Sequence, residues 1–90
     1  MDVKYFATFR DLTHELTYRL DSPPSTIGGL LELLSQRYGA AFRKAVFADG
    51  DLHANVILLV NGRNVRTSGG LATPLQPDDV VAVFPMVAGG

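Results

Sequence analysis

Thr26-Ile27-Gly28-Gly29-Leu30-Leu31-Glu32-Leu33-Leu34-Ser35-Gln36-Arg37-Tyr38-Gly39 is the stretch on which the fold turns. Ile27, Leu30, Leu31, Leu34 and Tyr38 recur at intervals of three and four, so they share one face of an α-helix. Thr26 supplies the hydroxyl of a good N-cap, and Gly39 stands where a helix commonly stops. Gly28 and Gly29 in the first turn each cost up to about 1 kcal/mol against alanine. They fit a helix that passes close to a strand. Phosphate binding at the helix N-terminus is the other use of such glycines, but no G-x-x-x-x-G-K-[ST] occurs in the chain.

Around this helix the pattern changes to period two. Val3, Tyr5, Ala7 and Phe9 alternate with Lys4, Phe6, Thr8 and Arg10, which predicts a strand. Asp11 to His14 is polar enough for a turn. Leu16, Tyr18 and Leu20 then alternate with Thr17 and Arg19, so a β-hairpin is expected, ended by Asp21-Ser22-Pro23-Pro24-Ser25. Beyond the helix, Ala40 to Phe47 is a candidate second short helix and Asp49-Gly50-Asp51 a turn. Asn55 to Val60 is nearly continuous in apolar residues, as in a strand covered on both faces. Asn61-Gly62 is the strongest hairpin signal, with Arg63 to Arg66 returning from it. Ser68-Gly69-Gly70 and Thr73-Pro74 mark irregular backbone, and Gln76-Pro77-Asp78-Asp79 a turn. Val80 to Phe84 forms the last strand, stopped by Pro85. The order β-β-α-(α)-β-β-β is an α+β pattern: a mixed sheet of about five strands packed on one main helix. That is the arrangement of a ubiquitin-like β-grasp, with a domain over 1–84 and an extended tail over 85–90.

Length and composition narrow the chemistry. Ninety residues make one small domain, and 47% apolar against 19% charged residues is a globular balance. Without cysteine there is no disulfide, thiolate metal site, persulfide or cysteine nucleophile. Eight Lys+Arg against nine Asp+Glu give a net charge of −1, too balanced for an electrostatic nucleic-acid binder. Met1-Asp2-Val3-Lys4 lacks a basic segment followed by an apolar one, and Val56 to Val60 is far short of a membrane span. A cytoplasmic protein that binds neither nucleic acid nor membrane is the expectation.

Few residues could catalyse anything. His14 and His53 stand apart in predicted turns, without the spacing of zinc ligands. The pairs Asp49/Asp51 and Asp78/Asp79 lie in turns where aspartate commonly caps backbone N–H groups. No G-x-S-x-G surrounds any serine. The expectation is a protein with no active site, metal or bound cofactor of its own. The end of the chain is different: Phe84-Pro85-Met86-Val87-Ala88-Gly89-Gly90 leads from a strand through small residues to two glycines. A frayed end is the plain reading. Glycine, however, lets a tail lie extended in a narrow channel and offers an unhindered α-carboxylate. Adenylation would turn that carboxylate into a mixed anhydride open to sulfur or amine nucleophiles, which is group-carrier chemistry.

This ending closely resembles the Phe-Pro-Pro-Val-Ala-Gly-Gly terminus of the MoaD/ThiS sulfur-carrier family, best matched by small subunits of molybdopterin synthase. Tyr5-Phe6-Ala7-Thr8-Phe9-Arg10-Asp11-Leu12, Val60-Asn61-Gly62, Leu71-Ala72-Thr73-Pro74-Leu75 and Asp79-Val80 are also similar to that group, so the resemblance spans essentially the whole chain. It implies that Gly90 is adenylated with ATP by a ubiquitin-activating-type adenylyltransferase and converted, with a sulfur donor, to a thiocarboxylate. Gly89, with Ala88 and Val87, would keep the tail thin. The sulfur would pass to a molybdopterin synthase large subunit, or to another sulfur-accepting enzyme. Phe6 and Phe84 correspond to aromatic positions of the family's docking surface, although core burial is the alternative for Phe84. Arg10 fits a position near the interface, or a solvated arginine.

Two departures bear on the pathway. Met86 stands where the family usually has a second proline, which loosens the tail but keeps an adaptable apolar contact. Val65-Arg66 with Ser68-Gly69-Gly70-Leu71-Ala72-Thr73 resembles the sulfur carrier of a thiocarboxylate-dependent cysteine synthase. Cysteine, thiamine or tRNA thiolation therefore stands beside molybdopterin synthesis, and a ubiquitin-like modifier joined to lysines is a further alternative.

Overall fold

The computed structural model describes residues 1–86. In chain order the elements are β1 (Asp2–Tyr5), α1 (Thr8–Thr13), β2 (Thr17–Arg19), α2 (Ile27–Tyr38), α3 (Ala40–Val46), β3 (Phe47–Ala48), β4 (Asp51–Leu52), β5 (Val56–Val60), β6 (Arg63–Asn64) and β7 (Val80–Pro85). Two 3₁₀ turns, Val65–Thr67 and Gly70–Ala72, fill the segment between β6 and β7. Five strands form one sheet in the order β2-β1-β7-β5-β6, and β3 and β4 make a separate hairpin. The central strand β7 runs parallel to β1 and antiparallel to β5. This is the mixed β-grasp sheet, with α2 laid across one face.

The long helix forms as its spacing requires. Ile27, Leu30, Leu31 and Leu34 are fully buried against Val3, Val81 and Val83. The Thr26 hydroxyl accepts from the Gly29 N–H at 3.2 Å, and Gly39 ends the helix at φ 101° with its N–H donated to the Ser35 carbonyl. The two glycines of the first turn do mark a close approach, but not to a strand. A Cβ on Gly28 would lie 3.2 Å from the Leu71 carbonyl oxygen in the second 3₁₀ turn, and one on Gly29 would lie 2.9 Å from Pro24 Cβ. The Ile27 N–H donates to the Thr73 carbonyl at 3.0 Å and the Leu75 N–H to the Ser25 carbonyl at 2.9 Å. The start of α2 is thus tied into the irregular segment.

Several expectations are corrected. The first strand stops at Tyr5: Ala7 turns the backbone at φ 53°, and α1 replaces both the outer half of the strand and the expected turn. Phe9 still reaches the core, but from a helix on which Phe9 and Thr13 share a face. β1 and β2 pair antiparallel as Val3↔Tyr18, although a helix and not a tight turn connects them. Leu16 does not join the buried face of β2; it is 63% exposed at the sheet edge. β5 is covered on one face only, with Val56 and Leu58 buried and Ile57 and Leu59 half-buried on the other. The Asn61-Gly62 hairpin is as expected, with φ 50° and 85° in a two-residue turn between Val60 and Arg63. Its return strand is only two residues long, since Val65 already enters a 3₁₀ turn. β7 extends through Pro85, whose missing N–H falls at the end of the ladder. Among the described residues no helix is long and apolar enough to cross a membrane.

Candidate docking face and carrier terminus

The sheet has two faces because its strands alternate. Val3, Tyr5, Val56, Leu58, Val81 and Val83 point under α2 and are at most 1% exposed. The intervening residues point the other way, where no helix lies. The register sets them in rows: Phe84 opposite Ile57, then Ala82 opposite Leu59 and beside Lys4, then Val80 beside Asp2. Phe6 follows β1, and its N–H donates to the Val83 carbonyl at 3.1 Å, which brings it level with Phe84. The two rings stack with centroids 4.4 Å apart and planes 8° from parallel. Both are half-buried, so Phe84 belongs to the outer face and not to the core.

Met86 lies at one end of this face. The Met86 N–H donates to the Asn55 carbonyl at 2.8 Å, so backbone pairing holds through Met86, whose side chain is 49% exposed. The helix α1 packs against β7 and carries Arg10, an exposed residue without an ion-pair partner among the described residues. The expected terminal residues Val87, Ala88, Gly89 and Gly90 lie outside the described residues. The structure therefore brings Phe6 and Phe84 together, sets Met86 at the end of their face, and keeps Arg10 out of the stack.

The residues that sequence reading missed are Ile57, Leu59 and Ala82. A continuous apolar run gave no reason to turn Ile57 and Leu59 outward. Their alternation with Val56 and Leu58, set against a single covering helix, was the available signal.

The polar candidates serve the backbone. Asp79 accepts from the Asn61 side-chain amide and from the Gln76 N–H, both at 2.8 Å, while Asn61 accepts from the Val80 N–H at 2.9 Å. Asp49 and Gly50 take φ 54° and 78° in the β3–β4 turn, and Asp51 accepts from the Leu52 N–H at 2.7 Å. His14 caps α1 at φ 58°, and His53 Nδ1 accepts from the Asn55 N–H at 3.0 Å. Among the described residues no group of three His, Cys, Asp or Glu side chains could hold a metal ion.

Comparison with known proteins agrees with this geometry. The sequence pattern of the ThiS family matches residues 3–90. Small archaeal modifier protein 3 of Haloferax volcanii is 39% identical over 93 aligned positions, covering 100% of this chain and 98% of that protein. A chain of the BexX/CysO complex of Amycolatopsis orientalis superimposes with a TM-score of 0.84 at 26% identity, covering 99% of this chain and 98% of that one. A Pyrococcus furiosus chain provisionally described as molybdopterin converting factor, subunit 1, gives a TM-score of 0.75 at 34% identity, covering 96% and 95%.

Proposed function

The chain belongs to the ThiS family of small β-grasp sulfur carriers and modifiers, proteins that are not themselves catalysts, and on that premise we propose that it carries sulfur on Gly90 as a thiocarboxylate. The observation that carries the reading is a diglycine that follows in sequence the last strand of a sheet whose outer face presents a stacked aromatic pair. In the proposed chemistry the Gly90 carboxylate attacks the α-phosphorus of ATP held by an adenylyltransferase, and pyrophosphate leaves. Sulfide then attacks the carbonyl carbon of the acyl adenylate, AMP leaves with the bonding electron pair, and the thiocarboxylate remains. Glycine at both final positions keeps Cβ atoms out of the narrow channels through which the tail must pass.

The proposed recipient is a molybdopterin synthase large subunit, with Phe6, Phe84 and Met86 as the apolar contacts and Arg10 at the rim. The Phe-Pro-Met-Val-Ala-Gly-Gly ending and the likeness to the Pyrococcus furiosus chain support it. A second reading, attachment of Gly90 to lysines of other proteins, draws support from the full-length similarity to Small archaeal modifier protein 3. Delivery of sulfur for cysteine synthesis draws support from the Val65 to Thr73 run and from the likeness to a chain of the BexX/CysO complex.

Intact-protein mass spectrometry, after incubation with ATP, sulfide and an extract containing the native activating enzyme, tests the common step. The expected result is a gain equal to the exchange of one oxygen for sulfur, located at Gly90 and lost when Gly90 is deleted. No gain, with the activating enzyme active on another carrier, overturns the reading. Covalent conjugates that survive denaturation and reductant would select the modifier role.

A further inference from the structure

On the outer face of the sheet the apolar side chains Phe6, Ile57, Leu59, Ala82 and Phe84 share their rows with one cation, Lys4. We infer that the adenylyltransferase acting on Gly90 covers this face and meets Lys4 with a carboxylate of its own. The inference rests on the carrier reading above and adds the chemistry of the docking partner.

The reach of the tail fixes where that enzyme must sit. Gly90 is the fourth residue beyond Met86, a span of about 14 Å at full extension. An active site closed on Gly90 must therefore come within that distance of Met86. The apolar surface at that end of the sheet is the Phe6/Phe84/Ile57 row, and the next row holds Leu59, Ala82 and Lys4. An enzyme that buries both rows removes the Lys4 ammonium from water.

Among the described residues no carboxylate opposite Lys4 offsets that loss. Lys4 faces Thr17 across the β1–β2 ladder and Ala82 across the β1–β7 ladder, and neither can be an anion. The ion pairs of the described residues, Arg37 with Glu15 and Arg43 with Glu32, lie elsewhere. Asp2 shares the face, but it occupies the row farther from the tail, where Arg19 stands opposite it. A buried ammonium left without a partner is strongly unfavourable, whereas a carboxylate opposite it makes a charge-assisted hydrogen bond. Lys4 thereby selects, among proteins with an apolar surface of the right shape, those that carry an acid at one position.

Lys4→Met separates the alternatives by sign, because it keeps an unbranched apolar stem of similar reach and removes the charge. The measurement is ATP–pyrophosphate exchange by the adenylyltransferase purified from the same cells, with the full chain as variable substrate. Circular dichroism verifies that each variant is folded. The expected result for Lys4→Met is a KM for the chain raised by about tenfold or more, the size of a charge-assisted hydrogen bond, with kcat unchanged. Lys4→Glu raises it further, and added salt raises the wild-type KM more steeply than that of Lys4→Met. A KM that stays level or falls in Lys4→Met overturns the inference, even where Phe84→Ala raises KM and so shows the face to be used. Absence of exchange with the wild-type chain overturns the carrier reading, and this inference with it.

Discussion

Phe6 and Phe84 stand at opposite ends of the sequence and meet because β1 and β7 run side by side in register. A half-buried face-on pair on the outer side of the sheet would be a prepared contact, its rotamers already restrained by one another. Replacing either ring by alanine is expected to weaken partner binding by about 2 kcal/mol, the range of an interface hot spot. A double-mutant cycle on folding stability, read by denaturant unfolding, is expected to give a coupling of about 0.5–1.5 kcal/mol between the two rings. Residue chemistry alone could place Phe6 outward, from its opposition to Val3 and Tyr5, but it could not decide Phe84. That decision belongs to a long-range strand pairing that no local spacing encodes. At the other end of the fold, Thr26 and Gly29 were both legible as parts of a helix start. Thr26→Ala is expected to cost about 1 kcal/mol through loss of the cap. Gly29→Ala is expected to lower the unfolding midpoint as well, because its Cβ would meet the stiff Pro24 ring at 2.9 Å.

Among the elements, α2 and the β5–β6 hairpin were the easiest to read, since each is specified by residues next to one another: a run of leucines with helical spacing, and an Asn-Gly pair. Gly62 holds φ 85° in that turn, and Gly62→Ala is expected to destabilise the fold by about 1–2 kcal/mol, the cost of a Cβ in the left-handed region, as measured by denaturant unfolding. The short helix α1 was harder. Its residues satisfy two periods at once: Val3, Tyr5, Ala7 and Phe9 alternate, while Phe9, Leu12 and Thr13 have helical spacing. Packing settled the conflict, because a helix lets Phe9 turn back onto Phe42, with ring centroids 5.9 Å apart, and buries Thr13, whose hydroxyl donates to the Phe9 carbonyl at 2.8 Å. The outward turn of Ile57 and Leu59 was hidden for a different reason. One helix can cover only one side of a sheet, and a continuous apolar strand does not say which side goes bare.

At the scale of the whole molecule, α2, α3 and the sheet converge on an aromatic cluster in which Tyr5 meets Tyr38 edge-on at 5.5 Å and Phe42 at 6.4 Å. The Tyr5 and Tyr38 hydroxyls are buried without a hydrogen-bond partner, and burial holds both phenols above their ordinary pKa. The unfolded chain would release these protons near pH 10, as free tyrosine does, while the folded chain retains them. Above about pH 10 the folded state therefore binds more protons than the unfolded state, and stability falls as pH rises. The expected outcome is a thermal midpoint that declines through alkaline pH, with tyrosinate absorbance from Tyr5 appearing only as the fold opens. Tyr5→Phe is expected to flatten that decline. The last strand, β7, is, finally, the central strand of the sheet and not an edge. A pull on Gly90 along β7 would load the parallel ladder to β1 and the antiparallel ladder to β5 together, in shear. Many hydrogen bonds would have to slip at once, whereas a strand peeled sideways from an edge loses them one by one. The fold is thus built as a mechanical anchor, able to bear tension applied through its last strand.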